Sequence, residues 1–175
     1  MSADALTWVA ELMAISARTA PKTRGEDYIV LKVLGKEETA GLGEAMLEYG
    51  KSTGRSNFAR DGESVKRSEA MLLVGLKEAR PSRLDCGACG WERCAELPPP
   101  REGSEFKGPH CFWRGVDLGI AIGSAVKTAS LLNADNRIMY RAGVVARKLG
   151  FLEADVVLGI PLSATGKNIF FDRKG

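Results

Sequence analysis

Three features of this 175-residue chain predict an α+β fold, with its sheet buried between helices. Stretches with helical spacing and stretches rich in β-branched residues both occur and mix without strict alternation, which points to α+β, with α/β as the alternative. Apolar residues make up 45% and charged residues 27%, ordinary for a chain that buries a core. At this length one domain is expected over 1–175, carrying a small insert at 81–111 whose composition departs from the rest.

Asp4 stands where a helix N-cap belongs, and Trp8, Leu12 and Ile15 recur at helical spacing toward Arg18. Pro21 and the run Lys22-Thr23-Arg24 end that helix, and Gly25, Glu26 and Asp27 read as loop. β-Branched and aromatic residues predict a buried strand over 28–34. A helix follows over 37–48, although Gly41 and Gly43 lower its propensity. The polar stretch 52–61 reads as loop or short helix, and 71–76 as a second strand. Beyond the insert a long helix is predicted over 116–132, apolar on nearly every face and therefore buried. After a turn at 133–136, a further helix is expected to gather Ile138, Ala142, Val145 and Leu149 on one face, with Gly150 as its C-terminal cap. A third strand over 156–160 is expected to stop at Pro161.

Charge and hydropathy narrow the function. The 25 Lys and Arg are scattered among 22 Asp and Glu, leaving +3 and no concentrated basic stripe, so no nucleic-acid partner is expected. The longest apolar stretch, 118–132, is interrupted by Lys127, so no membrane span is expected. Residues 1–6 carry no basic region leading into an apolar one, which predicts no signal peptide and a cytoplasmic location. With His110 as the single histidine and no nucleophile elbow, no hydrolytic triad can be assembled.

All four cysteines lie within 86–111, and five of the seven prolines within 81–109. In a cytoplasmic chain such clustering favours a metal site over disulfides. Cys86, Cys89, Cys94 and Cys111 are spaced C-x2-C-x4-C-x16-C. Three thiolates on a short loop can grip three corners of an iron–sulfur cubane, and the distant fourth can close the cage. Gly87 and Gly90 let the backbone wrap closely and aim N–H groups at inorganic sulfide, and Arg93 and Lys107 would offset the negative charge. The alternative is a structural zinc site, which more usually pairs two C-x2-C knuckles. His110 reads as an outer hydrogen-bonding neighbour or an ordinary loop residue. Trp91, Phe112 and Trp113 read as shielding for the metal, or as an exposed patch that docks a redox partner.

The cysteine segment 85–111, with Cys86-Gly87-Ala88-Cys89-Gly90, Cys94 and Cys111, resembles the [4Fe-4S] domain of corrinoid iron–sulfur proteins. That resemblance implies the four cysteines as cluster ligands; Phe112-Trp113 after the last one departs from the pattern. Outside the insert, two stretches resemble nitroreductase-like flavoproteins. One is Ala17-Arg18-Thr19-Ala20-Pro21 with the strand that follows, and the other runs from Asp117-Leu118-Gly119-Ile120-Ala121 through Lys148-Leu149-Gly150 to Pro161. The likeness implies a helix/sheet sandwich, a homodimer with the long helix across its interface, and FMN between subunits. The family's Arg-rich phosphate clamp before the first helix has no counterpart in 1–4, and its polar flavin contacts are not recognisable in 22–25. Lys167, in Ser163-Ala164-Thr165-Gly166-Lys167-Asn168, is a substitute phosphate contact or a solvated lysine; Asn168 and the glycine spacing rule out a P-loop. The combination resembles a group of uncharacterised prokaryotic proteins with a ferredoxin-like domain. Three functions follow: a [4Fe-4S] electron-transfer protein, a flavin oxidoreductase using the cluster as relay, or a zinc-stabilised binding module.

Overall fold

The structure, a computed structural model, describes residues 4–171. Its elements run α1 (Ala5–Thr19), β1 (Ile29–Leu34), α2 (Lys36–Ser52), α3 (Ser56–Lys66) and β2 (Ala70–Leu76), followed by the two-residue strands β3 (Arg101–Glu102) and β4 (Lys107–Gly108). Then come α4 (Phe112–Leu131), β5 (Asp135–Asn136), α5 (Tyr140–Lys148) and β6 (Val156–Ser163). The main sheet is antiparallel in the order β1-β2-β6-β5.

Every residue of β2 is buried, because helices cover both faces of the sheet. Its side chains alternate between two cores. Leu72, Val74 and Leu76 join Ile160 and Leu162 of β6 under α1 and α4. Met71 and Leu73 join Leu34 and Val157 under α2, α3 and α5. The outcome is the expected α+β architecture, three layers deep. Among the described residues no helix is long and apolar enough to cross a membrane.

Several boundaries and faces differ from the sequence expectation. α2 runs longer than 37–48, and Gly43 is what its packing needs: a Cβ there would stand 2.4 Å from the Lys66 backbone nitrogen of α3. The polar stretch after it yields α3 at Ser56–Lys66. α1 turns Leu6, Ala10, Met13 and Ala17 inward, leaving Trp8, Leu12 and Ile15 exposed at 69%, 47% and 59%. Asp4 occupies the N-cap through its carbonyl, which accepts from Trp8 N–H at 3.0 Å, without a side-chain bond. α4 begins at Phe112, before the expected 116, and is buried on one side only; Gly115, Gly119, Ile120 and Gly123 face outward. In α5, Ala142 and Val145 are buried, but Ile138 precedes the helix and both it and Leu149 are exposed. Gly150 follows the helix at φ 74° as expected.

β6 does not stop at Pro161, which pairs with Met71 and lies inside the strand. Gly159 exchanges hydrogen bonds with Met139 on the β5 side. Position 161 has the same parity and faces the gap between Asn136 and Met139, where pairing is interrupted. The missing N–H therefore costs no ladder bond.

Candidate functional site

The cysteine segment leaves the sheet after β2 and returns at α4. From 83 to 110 no residue is fully buried, so the segment has no apolar core of its own. Its backbone coils tightly: Glu78, Arg83, Asp85, Gly87 and Gly90 all have positive φ, between 46° and 90°. Nothing lies within 4 Å of where a Cβ would stand on Gly87 or Gly90. The β3–β4 hairpin is pinned from outside. Arg147 makes a two-pronged pair with Glu102 at 2.6 and 2.8 Å, and Lys107 N–H donates to the Asp155 carbonyl at 3.0 Å.

All four cysteines are free thiols, from the exposed Cys86 through the half-buried Cys89 and Cys94 to the buried Cys111. Three are held by named partners. The Trp113 indole N–H donates to Cys86 Sγ at 3.2 Å. The Cys94 backbone N–H donates to Asp85 Oδ1 at 2.6 Å, drawing the third cysteine back to the residue before the first. Cys111 is the N-cap of α4, with Sγ 3.5 Å from Ser82 Oγ. Burial pushes the Cys111 thiol up. The Ser82 hydroxyl and the backbone N–H groups of Ser82, Trp113 and Arg114 outweigh it, and the thiol falls below its ordinary range. Among the described residues, no three His, Cys, Asp or Glu side chains are drawn together at metal-binding distance. The donor set itself fits a metal: four soft sulfurs, none consumed by a disulfide, suit iron–sulfur or zinc.

Of the expected outer contacts, Lys107 turns its charge to Asp155 at 3.4 Å. Arg93 is exposed, ahead of a short turn at Cys94–Glu96. His110 Nε2 lies 3.0 Å from the Lys107 carbonyl, which only accepts, so Nε2 carries the proton; Nδ1 is buried without a partner. Phe112 is half exposed and meets Trp113 edge-on, ring centroids 5.3 Å apart. Lys167 is exposed on the loop after β6, which Asn168 ties to Asp135 at 2.8 Å. Two clefts flank the insert. One, of about 480 Å³, lies between Arg80, Pro98, Pro100 and Cys111. The other, of about 440 Å³, lies between Tyr28, Arg83 and Cys94.

The sequence reading missed the buried network beneath these cysteines. Arg114 is fully buried. It donates to the Thr23 and Arg80 carbonyls at 3.0 and 2.9 Å, pairs with Asp117 at 3.2 Å and with Glu26, and lies 4.7 Å from the Tyr28 ring centre. Asp117 in turn accepts from the Thr23 N–H and hydroxyl at 2.7 and 2.8 Å. The available signal was an Arg and an Asp three residues apart in an otherwise apolar stretch. The first turn of α4 is thereby locked to the loop at 23–26 and to the segment leading into Cys86.

The three-layered antiparallel sandwich that carries this cysteine-rich segment has the nitroreductase fold in its helices and main sheet. The FMN-dependent nitroreductase NfnB from Mycobacterium smegmatis superposes with a TM-score of 0.60 at 10% identity, over 97% of this chain and 85% of that one. A nitroreductase with bound FMN from Desulfitobacterium hafniense superposes at 0.58 with 14% identity, over 91% and 78%. Residues 107–173 match a family described as "uncharacterized protein containing a ferredoxin domain"; that stretch includes Cys111. An uncharacterized protein of Archaeoglobus fulgidus is 50% identical over 163 residues, 93% of this chain and 88% of its own length. At that identity and coverage the chain belongs to the same family, the uncharacterized proteins containing a ferredoxin domain.

Proposed function

We propose that the protein holds one [4Fe-4S] cluster on Cys86, Cys89, Cys94 and Cys111, in an insert at 81–111 of a single domain, and passes single electrons to a redox partner in the cytoplasm. The observation that carries this reading is a tightly coiled segment, with no buried residue from 83 to 110, that carries three of the four free thiols and leads directly into the fourth, Cys111, at the N-cap of α4. Ordering such a chain costs about 1–2 kcal/mol per residue, and metal–thiolate bonds are the available offset. When bound, the cluster supplies one-electron exchange at a potential set by its ligands and their hydrogen bonds. This chain's own contribution is to hold the thiolates. The α4 N-terminus and Ser82 favour the charged form of Cys111, Trp113 donates to Cys86, and Asp85 fixes Cys94. The ferredoxin domain in the family's description supports the reading.

A second reading adds FMN, which the structurally similar nitroreductases carry. The clefts beside Cys94 and Cys111 offer space next to the insert; Lys167, the candidate phosphate contact, lines neither of them and follows the opposite end of β6. Zinc on the same four thiols is the non-redox alternative. An anaerobic optical spectrum separates them: a broad shoulder that bleaches on reduction marks iron–sulfur, two resolved yellow bands mark flavin, and no visible absorption marks zinc. Replacing Cys89 by Ser should remove most of the bound iron and sulfide. Iron content unchanged with Cys89 and Cys94 both replaced would overturn the assignment.

We also propose that the chain forms a homodimer across the outer faces of α1 and α4, where Trp8, Leu12, Ile15 and Ile120 lie exposed.

A further inference from the structure

We propose that Trp113 sets the reduction potential of the centre through its indole N–H on Cys86, an inference that rests on the cluster reading above. The indole nitrogen has a proton to give and no lone pair to accept with, so the 3.2 Å contact has one sense, nitrogen donating to sulfur. The two partners sit on unlike supports. Cys86 is exposed, on the coiled loop. Trp113 is in the first turn of α4, edge-on to Phe112 at an interplanar angle of 83°, and it precedes the fully buried Arg114. Arg114 ties that turn to the Thr23 and Arg80 carbonyls, so the donor is fixed while the sulfur comes to it. At this exposed ligand, water would otherwise solvate the sulfur with mobile dipoles. The indole puts one oriented dipole in place. Reduction adds one electron to the cluster, taken from the external reductant with no proton transfer, and the added negative charge is shared by the ligand sulfurs. A donor on sulfur therefore stabilises the reduced state more than the oxidised state and raises the potential. Trp113→Phe keeps a ring of similar character and removes the N–H.

The test compares anaerobically prepared wild type and W113F for iron and sulfide per chain, and for midpoint potential in a dithionite titration followed optically. The expected result is equal iron with a more negative potential in W113F. An equal or more positive potential at equal iron overturns the proposal and leaves the cluster assignment standing. A wild type that binds no iron overturns both. Should W113F fail to retain the cluster, exchange of the indole N–H with solvent decides, read by nitrogen-15 NMR on the wild-type chain with zinc on its four thiols. A Trp113 N–H exchanging much more slowly than the indole N–H of free tryptophan under the same conditions upholds the N–H···S bond, and equal exchange rates overturn it.

Discussion

A guanidinium with no exposed surface must find all its partners inside the protein, and Arg114 finds them in Glu26, Asp117 and two backbone carbonyls. Glu26 feels the consequence. Burial raises its carboxyl pKa, but Arg114 and Arg83 together outweigh that, and the folded value lies below the ordinary 4.5. A carboxylate whose pKa is depressed by folding stabilises the native state above its unfolded pKa, and that contribution disappears as the pH falls through the folded value. Glu26→Gln should therefore unfold at lower denaturant concentration than wild type at pH 7, with the gap closing at pH values well below 4.5. Equal midpoints at pH 7 would show that the pair adds nothing. The cysteine pattern was legible at this scale because thiols at fixed spacing have few other uses. Arg114 was not, because its partners come from positions 23, 26 and 80, and no local pattern announces them.

Among the elements, the insert behaves unlike the helices and strands. α1, α4 and β2 each bury an apolar face or more, whereas 83–110 has no fully buried residue, packs only the partly buried Phe106 against the core, and leans on the Arg147–Glu102 pair and the internal Cys94–Asp85 bond. The segment should order fully only with metal bound. Limited proteolysis of metal-free protein is expected to cut first within 81–109, with the flanking helices protected. Equal protection with and without metal would contradict this. Helix and strand identities were readable from periodicity, but faces were not. In α1, Leu6, Ala10, Met13 and Ala17 compete with Trp8, Leu12 and Ile15 as apolar stripes, and the smaller residues win because α4 packs close, with Ser16 and Thr128 hydroxyls 2.6 Å apart.

For the molecule as a whole, the outward faces of α1 and α4 have no covering layer among the described residues. Trp8, Leu12 and Ile15 are exposed on α1, and Ile120 on α4, where Gly115, Gly119 and Gly123 leave open space. A two-fold pairing of this face buries it without further sequence. Light scattering coupled to size exclusion should give twice 18.8 kDa for wild type at micromolar concentration and 18.8 kDa for Ile15→Glu combined with Ile120→Glu. A wild-type mass near 18.8 kDa rules the dimer out.

By itself, the sequence determined the α+β class, the principal strands and helices, and a segment rich in cysteine and proline whose composition departs from the rest. Each of these follows from local spacing, which chain geometry converts directly into faces and loops. Only the tertiary structure decided that Trp8 faces out, that β6 passes through Pro161, and that Arg114 lies at the hub beneath the cysteines. Those outcomes depend on which surfaces meet: a neighbouring helix chooses between two apolar stripes, a gap in β5 excuses a missing N–H, and a buried charge needs partners that only folding delivers.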